Sequence, residues 1–480
     1  MYKKIAVIIL TVLAILACST KQSSIQKAMI TNEVATAGNY GKAPENYKKY
    51  CAGCHGEKMQ AFVDRQWKYG NKAEDISKSI KVGITDAGMP AYEATFSSEE
   101  INDLVAFIHK GLENQSVFTT SEKLISNIVK TNDYTIRIDT MVYGIEVPWG
   151  MDFDRVGNMY YTQRKGTLHV RKVDGTIEDI SGLPAIKSAG QGGLLDIELH
   201  PNFENNRRIY IGYSKPKTID GQEMLTTAVS YATLEGNRLT GLTEIFEALP
   251  YFTTRHHFGN RLEFDKNGLL FIAVGDRGRE NENPQDITKY PGKIHRVKDD
   301  GSIPVDNPFA NHPTAVKSIY SYGHRNPQGI AIHPETNTLW DSEHGPRGGD
   351  EVNICLPGKN YGWPVISYGI NYNGTTFTDK TEMEGMEQPE IYWIPSIAPS
   401  GTVFVKGDQY PKWKGDLLVG SLRFNYLNRC IVKNNKIVGE EMLLKGIGRM
   451  RDVQIDKQGF LYVAVENPGA IYKLVPMGSN

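Results

Sequence analysis

Residues 262–274 read LEFDKNGLLFIAV: a short apolar strand, a polar turn with glycine, and a second strand rich in aliphatic and aromatic residues. The same order of elements occurs six times between about Tyr134 and Leu474, where no helical periodicity is sustained. The leading strands are Gly150–Phe153, Leu194–Leu199, Leu262–Phe264, Ile330–Ile332, Thr402–Phe404 and Val453–Ile455. The second strands begin near Met159, Ile209, Leu270, Leu339, Leu417 and Leu461.

Six copies of roughly sixty residues predict a six-bladed β-propeller, in which radial repetition of four-stranded blades leaves only short edges. A β-sandwich is the alternative all-β fold, but six copies are too many for one small sandwich. The copies differ in length because the loops between blades carry insertions. Such loops are where binding and catalytic sites are built.

The segment before the repeat contains the pentapeptide CAGCH at residues 51–55, the attachment signature of c-type haem. Cys51 and Cys54 would form the thioethers, and His55 would supply one axial nitrogen. The sequence AGMP at residues 87–90 makes Met89 the expected second axial ligand. Met59 is the alternative, but it follows His55 too closely to reach the other haem face. A redox dithiol or half of a zinc site is a weaker interpretation, since no second cysteine pair lies nearby.

A helix is predicted after this motif. Ser97 and Glu100 form a capping box, and apolar residues follow at helical spacing, with Gly111 as the expected C-cap. These apolar residues are Ile101, Leu104, Val105 and Ile108. Such a helix closes a small all-α class I cytochrome c domain, which we expect over residues 41–113.

The N-terminus has the pattern of a targeting segment: Lys3 and Lys4, a charge-free apolar run over 5–17, and then Cys18. The run is too short for a membrane span of about 20 residues. It predicts a lipoprotein-type signal at 1–18, with an uncleaved anchor or a plain secretory signal as alternatives. All three predict export, and the first predicts a periplasmic or cell-surface protein lipid-anchored at Cys18.

The remaining domain boundaries are a linker at 19–40, the cytochrome at 41–113, a second linker at 114–133 and the propeller at 134–476. Lys and Arg number 54 and Asp and Glu 55, a net charge of −1 that gives no reason to expect nucleic acid as a partner. Cys355 and Cys430 have apolar surroundings in the sequence, which favours two buried free thiols over a disulfide.

Polar residues gather in the loops between blades. If these loops share one face of the propeller, their arginines converge, which indicates an anionic ligand. A glycine-rich acidic loop with free carbonyls indicates Ca²⁺, and a histidine among them is a candidate general base. The loops are Gln191–Gly193, His256–Arg261, Tyr322–Gly329, Glu343–Glu351, Arg423 and Arg449–Asp452.

The same loop motifs resemble the soluble PQQ-dependent glucose/aldose sugar dehydrogenases, more closely the aldose branch. The resemblance spans nearly all of Tyr134–Leu474 and follows one order. Its motifs are QGGLL from Gln191, His257 with GNRL after it, YGHRNPQG from Tyr322, EHGPRGGDE from Glu343, GKNYGWP from Gly358 and RMRDV from Arg449.

The resemblance implies a propeller that binds pyrroloquinoline quinone (PQQ) with Ca²⁺ and oxidises the anomeric hydroxyl of an aldose to a lactone. It implies that His257 is the general base, that Asp276 orients it, and that Arg325 completes the catalytic group. The implied cofactor-binding residues are Gln191, Arg325, Asn326, Tyr372, Arg423, Arg449 and Arg451. The implied calcium ligands are the carbonyls of Gly345 and Pro346, and Glu351 and Tyr361 match positions tied to calcium in the aldose branch.

Three features depart from the family pattern. His256 stands where the glucose branch has an acid, which bears on sugar preference, and Arg423 stands where lysine is usual. The relatives mostly lack a haem. Here the fused haem would take electrons from reduced PQQ one at a time and pass them to an external acceptor, such as a cytochrome, an oxidase or the quinone pool. The alternatives are a calcium-dependent propeller hydrolase such as a lactonase, and a non-catalytic binding propeller.

Overall fold

The computed structural model describes residues 40–51, 70–84, 89–113, 124, 126–372 and 375–479. The chain divides into two compact units, Met1–Val117 and Phe118–Asn480, and each is treated by itself. Across these described ranges, no helix is long and apolar enough to span a membrane.

The first unit is helical. Its elements are α1 (Ala43–Asn46), a π-helical turn (Tyr47–Cys51), α2 (Ala73–Val82) and α3 (Ser98–Glu113). The capping box is confirmed, since Glu100 Oε2 accepts from Ser97 N at 2.9 Å and Ser97 Oγ accepts from Glu100 N at 3.2 Å. The expected C-cap at Gly111 is wrong: the residue is buried inside α3 and lacks the positive φ of a C-cap.

The face of α3 with helical spacing forms the core of this unit. Its apolar residues meet those of α1, the π-helical turn and α2 in one buried cluster. The members are Ala43, Tyr47, Ile76, Ile80, Phe96, Ile101, Leu104, Val105, Phe107 and Ile108. All four predicted core positions of the helix are therefore confirmed.

The second unit is made of antiparallel strands. Two strands, β1 (Ile128–Lys130) and β2 (Tyr134–Tyr143), precede the first blade. Blade one contains β3 (Pro148–Phe153), β4 (Met159–Gln163), β5 (Thr167–Arg171) and β6 (Ile177–Ile180). Blade two contains β7 (Leu194–Leu199), β8 (Arg208–Ile219), β9 (Gln222–Glu235) and β10 (Arg238–Glu247), with the short helix α4 (Phe203–Asn206) before β8.

The next three blades repeat this order. Blade three contains β11 (Leu262–Phe264), β12 (Leu269–Val274), β13 (Lys293–Lys298) and β14 (Ile319–Tyr322). Blade four contains β15 (Pro327–Ile332), β16 (Leu339–Glu343), β17 (Asp350–Cys355) and β18 (Ile391–Trp393). Blade five contains β19 (Pro399–Phe404), β20 (Leu417–Ser421), β21 (Tyr426–Lys433) and β22 (Lys436–Leu443).

The sixth blade joins the two ends of the propeller sequence. It contains β23 (Met450–Ile455), β24 (Leu461–Val465) and β25 (Ala470–Ser479), and β2 pairs with β25 on its outer side. The register runs from Tyr134 opposite Ser479 to Tyr143 opposite Ala470. The predicted six-bladed propeller is confirmed, and each predicted leading and second strand coincides with the first and second strand of a blade.

A buried arginine ties the innermost strands together. Arg261 forms ion pairs with two carboxylates at 3.0 and 3.1 Å, donates to two backbone carbonyls at 2.8 Å and stacks on an indole ring at 4.1 Å. Its partners belong to blades one, two, four and six. They are Trp149, Asp196, Gln328, Arg451 and Asp452.

Both cysteines of the propeller are buried free thiols, as expected: Cys355 lies in β17 and Cys430 in β21.

Candidate active site

A cavity of about 230 Å³ lies where the inner strands and the loops between blades meet. Four residues expected from the sequence line it: Gln191, Asn326, Arg449 and Arg451. No individual role was expected for the rest of the lining, although Phe258, Gly259, Gln328 and His344 belong to loops singled out in the sequence. The rest of the lining consists of Trp149, Arg164, Leu195, Phe258, Gly259, Gln328, His344, Ala398, Leu422 and Glu466.

A histidine–aspartate pair lies in the loops beside this cavity. His257 Nδ1 is 2.7 Å from Asp276 Oδ1, and the backbone N–H of His257 donates to Gln191 Oε1 at 2.8 Å. Asp276 also accepts from Gly278 N at 2.7 Å and from Trp363 Nε1 at 2.9 Å. The carboxylate thus fixes the tautomer with Nδ1 protonated, and Nε2 of His257 is left as a proton acceptor.

The surroundings keep this imidazole neutral. Burial, reinforced by the Arg325 cation, lowers the pKa of His257 to about 4. Burial opposes ionisation of Asp276, but His257 and Arg325 outweigh it and hold the pKa of Asp276 below its usual range. At neutral pH the pair is therefore a neutral imidazole on an ionised carboxylate, the state required of a general base.

Arg325 lies next to this pair. Its Nη1 donates to the carbonyls of His344 at 3.1 Å and Gly345 at 2.6 Å, and its guanidinium lies 5.3 Å from the Trp363 ring centroid. Its buried Nε has no hydrogen-bond partner within the described part of the chain. The neighbouring Asn326 accepts from Gly259 N at 3.2 Å. The two residues before β15 therefore place the Arg325 cation near His257 and the Asn326 amide in the cavity.

Cations outnumber acids in the cavity lining. Arg449 Nε lies 3.1 Å from one oxygen of Glu466, and Arg451 Nε lies 2.8 Å from the other. Arg164 also lines the cavity, so among the described residues Glu466 is the one carboxylate that lines it with three guanidinium groups. The cavity is suited to an anionic ligand.

Three expected cofactor-binding residues do not line the cavity: Arg325, Arg423 and Tyr372. The side chain of Arg423 donates to Ser396 O at 3.3 Å and stacks on Phe424 at 4.9 Å. Tyr372 is 72% exposed, and its carbonyl accepts from Arg347 at 3.5 Å.

The calcium candidates fall into two groups. Gly345 O accepts from Arg325, and Pro346 O accepts from Ser396 Oγ at 3.3 Å. These are the hard oxygen donors that Ca²⁺ prefers, and each carbonyl keeps a second lone pair. The loop therefore fits calcium by donor type.

The other two calcium candidates lie at the β16–β17 pairing. Glu351 is opposite Glu343 in register, and burial with this neighbouring carboxylate raises the pKa of Glu351 well above its usual range. The hydroxyl of Tyr361 donates to Ile354 O at 2.6 Å and accepts from Leu356 N at 2.8 Å. Backbone groups thus occupy the hydroxyl of Tyr361, whereas the paired carboxylates of Glu343 and Glu351 are suited to a cation.

The cavity also fits PQQ, a planar tricarboxylate. The three lining arginines match its charge, and Trp149 and Phe258 offer flat apolar faces. The unpartnered Nε of Arg325 is a further donor close by. These residues fit the group that the sequence resemblance implies.

In the first unit, two of the predicted haem-binding residues pack against the apolar cluster. Cys51 and Met89 are both partly buried against the apolar cluster of that unit. Cys54 and His55 lie outside the described residues, as does Cys18.

Several lining residues carried a signal in the sequence that went unused. Phe258 directly follows the expected base. Arg164 follows the end of β4 and Glu466 the end of β24, and both positions correspond to the loops that hold the other polar residues. Trp149 had no such signal, because it lies within the apolar strand β3.

Comparison with known proteins agrees with both units. Residues 145–473 match the family described as Glucose / Sorbosone dehydrogenase. Residues 39–108 match the family described as Cytochrome C oxidase, cbb3-type, subunit III.

Individual proteins of known name and structure are also similar to the second unit. Aldose sugar dehydrogenase YliI of Escherichia coli (strain K12) is 39% identical over 376 residues, which cover 76% of this chain and 100% of that protein. Quinoprotein glucose dehydrogenase B of Acinetobacter calcoaceticus is 28% identical over 411 residues, covering 68% and 83%. The crystal structure of the soluble aldose sugar dehydrogenase from Escherichia coli, in the apo-form, superposes with a TM-score of 0.68 at 38% identity, covering 71% of this chain and 100% of that one.

Proposed function

Since the chain belongs to the glucose/sorbosone dehydrogenase family and carries a cytochrome c domain at its N-terminus, we propose that it oxidises an aldose to a lactone with PQQ and Ca²⁺. Electrons leave through a haem c bound covalently at Cys51 and Cys54. One observation carries the proposal: the His257–Asp276 hydrogen bond of 2.7 Å stands beside a cavity lined by three arginines.

The chain's own groups perform the proton chemistry. His257 Nε2 accepts the proton of the anomeric hydroxyl, while Asp276 stabilises the imidazolium that results. Burial of the pair excludes water that would compete for the proton.

The residues that line the cavity would bind and orient PQQ, and the neighbouring loop would bind Ca²⁺. Arg164, Arg449 and Arg451 would hold the carboxylates of PQQ, with Gln191 and Asn326 donating at its edges. The carbonyls of Gly345 and Pro346 would hold Ca²⁺. When bound, PQQ supplies a two-electron acceptor polarised by Ca²⁺, and haem c supplies the one-electron acceptor that passes charge to an external partner.

The N-terminal residues support a location for this activity. Covalent haem attachment occurs outside the bacterial cytoplasm, and the stretch ending at Cys18 has the pattern of a lipoprotein signal. The protein would therefore be periplasmic or at the cell surface, anchored through a lipid at Cys18.

The test is a visible spectrum of the full-length oxidised protein, reconstituted with PQQ and Ca²⁺, before and after a panel of aldoses. Reduced haem bands should appear only when PQQ, Ca²⁺ and an aldose are all present, and a chelator should abolish them. The His257→Ala variant should bind PQQ normally but reduce haem at least 100-fold more slowly.

Two results would count against the proposal. Haem that stays oxidised while an artificial acceptor is reduced would contradict electron transfer from PQQ to the haem, but it would still support dehydrogenase activity. Full activity in the His257→Ala variant would remove the assigned base.

A further inference from the structure

Arg277 is a fully buried arginine beside the proposed base, with an exposed fraction of 0%. Its Nη1 donates to His256 O at 2.7 Å and its Nη2 to Thr254 O at 2.9 Å. The guanidinium also lies 3.5 Å from the ring centroid of Phe258. Among the described residues, no carboxylate lies within ion-pair distance of it, so backbone carbonyls and an aromatic face solvate this charge.

These contacts join the two loops of the catalytic pair. Arg277 follows Asp276 directly in the chain, and His256 directly precedes His257. The bond from Arg277 to His256 O and the bond from His257 to Asp276 therefore close a small ring between the loops. Thr254 Oγ1 adds a contact in the opposite direction, donating to Arg277 O at 2.8 Å.

The guanidinium is suited to this task because its planar fork reaches two carbonyls of one loop at fixed angles. A lysine ammonium lacks that fork and stacks less well on Phe258. Burial lowers the pKa of Arg277 to about 9, which still leaves the group charged at neutral pH. Burying this charge costs free energy, and the charge lies where the loops of His257 and Asp276 must keep a constant separation.

We propose that Arg277 is a positioning residue, which fixes the distance between His257 and Asp276 by clamping the loop of residues 254–258 to the loop of residues 276–278. The inference rests on the proposed function of His257 as general base. Arg277 does not line the cavity, so it would act through the catalytic pair rather than on a ligand.

The test compares Arg277→Met and Arg277→Lys with the unaltered full-length holoenzyme. Both variants should lower kcat about 10- to 100-fold, because a small misplacement of a base is costly. KM for the aldose and the affinity for PQQ should stay within about twofold. Where the methionine variant does not fold, the lysine variant, which keeps the charge, carries the test.

A second measurement needs no turnover. In the cofactor-free full chain with ¹⁵N-labelled histidine, the His257 nitrogen shifts should report a single tautomer with Nδ1 protonated. In the Arg277 variants this signal should change to a mixture of tautomers, because Asp276 no longer holds Nδ1 at hydrogen-bond distance.

The matched control is Arg207→Met. Arg207 also has a positive φ, 55° against 61° for Arg277, and it stacks on Phe203 at 4.1 Å, outside the active site. It should leave kcat and the His257 tautomer unchanged.

Three outcomes would overturn the inference: unchanged kcat in the Arg277 variants, an equal loss in Arg207→Met, or a loss of kcat with the His257 tautomer intact. An inactive wild-type holoenzyme would instead contradict the proposed function, and the tautomer measurement would still decide the role of Arg277.

Discussion

The pKa of His257 is lowered mainly by burial and then by the Arg325 cation, with a smaller contribution from His256. An imidazole that titrates near 4 rather than its ordinary 6.5 stays unprotonated through the whole neutral range. In the cofactor-free chain, an NMR titration of His257 should therefore give a midpoint near 4. Since a nearby cation disfavours the imidazolium, Arg325→Gln should move the midpoint upward.

Arg137→Gln provides the control for this titration, because Arg137 pairs with Asp139 on the solvent-facing side of β2 and its loss should leave the midpoint in place. A wild-type midpoint at 6.5 would contradict the electrostatic description of the site.

At the residue scale the sequence pointed to Gln191, Asn326, Arg449 and Arg451 in the cavity lining but not to Arg164, Glu466 or Trp149. His257 and Gln191 belong to loops singled out in the sequence, Asp276 was expected only from the family resemblance, and hydrogen bonds join the three residues. Trp149 was missed because an aromatic residue within an apolar strand looks the same whether it packs in a core or faces a cavity. The cofactor role of Tyr372 stays a prediction, and the motif position did not reveal that this residue is largely exposed.

The capping box of α3 has a measurable local effect. Ser97→Ala removes the acceptor of the Glu100 N–H, which should cost about 1 kcal/mol. In the full chain, amide hydrogen exchange in the first turn of α3 should accelerate roughly fivefold where exchange proceeds through local opening.

Glu100→Gln is the matched variant, since glutamine retains the reciprocal bond to Ser97 N. It should exchange more slowly than Ser97→Ala. Equal acceleration in both variants would show that the helix start is held by packing alone.

Whether the boundary of a helix or strand could be predicted depended on how strong the local sequence pattern was there. The start of α3 was predictable because the cap is a side-chain pattern. Its end was not, because Gly111 is kept helical by burial, which only the tertiary structure shows. The strand pairs were predictable since an apolar strand, a polar turn and a second strand recur with similar chemistry. The lengths of β8 and β9 were not, because their outer halves are partly exposed and lack clear alternation.

For the whole molecule, the arginine between the inner strands is the most sensitive point. Arg261→Met would leave Asp196 and Asp452 buried without their cation. Losing one partner of a buried charge group costs about 3–5 kcal/mol. Denaturant unfolding of the propeller at neutral pH, followed by tryptophan fluorescence, should show a loss of that size.

Arg137→Met removes an ion pair of similar chemistry from the surface, and its expected cost is below about 1 kcal/mol. Similar losses in the two variants would mean that the inner ion pairs contribute little to the stability of the ring.

The number of blades was predictable from the repeat, but the closure of the ring was not. β2 and β25 carry ordinary strand patterns, and only the register of the sixth blade reveals that they pair.

That pairing also sets an order of events during synthesis. β2 leaves the ribosome roughly 330 residues before β25, which corresponds to about 20–60 s of translation. During this time β2 has one unpaired edge, open to association with other chains. Since β25 follows every other strand of the propeller in the chain, the ring and its arginine-lined cavity can be completed only after the other five blades have been made.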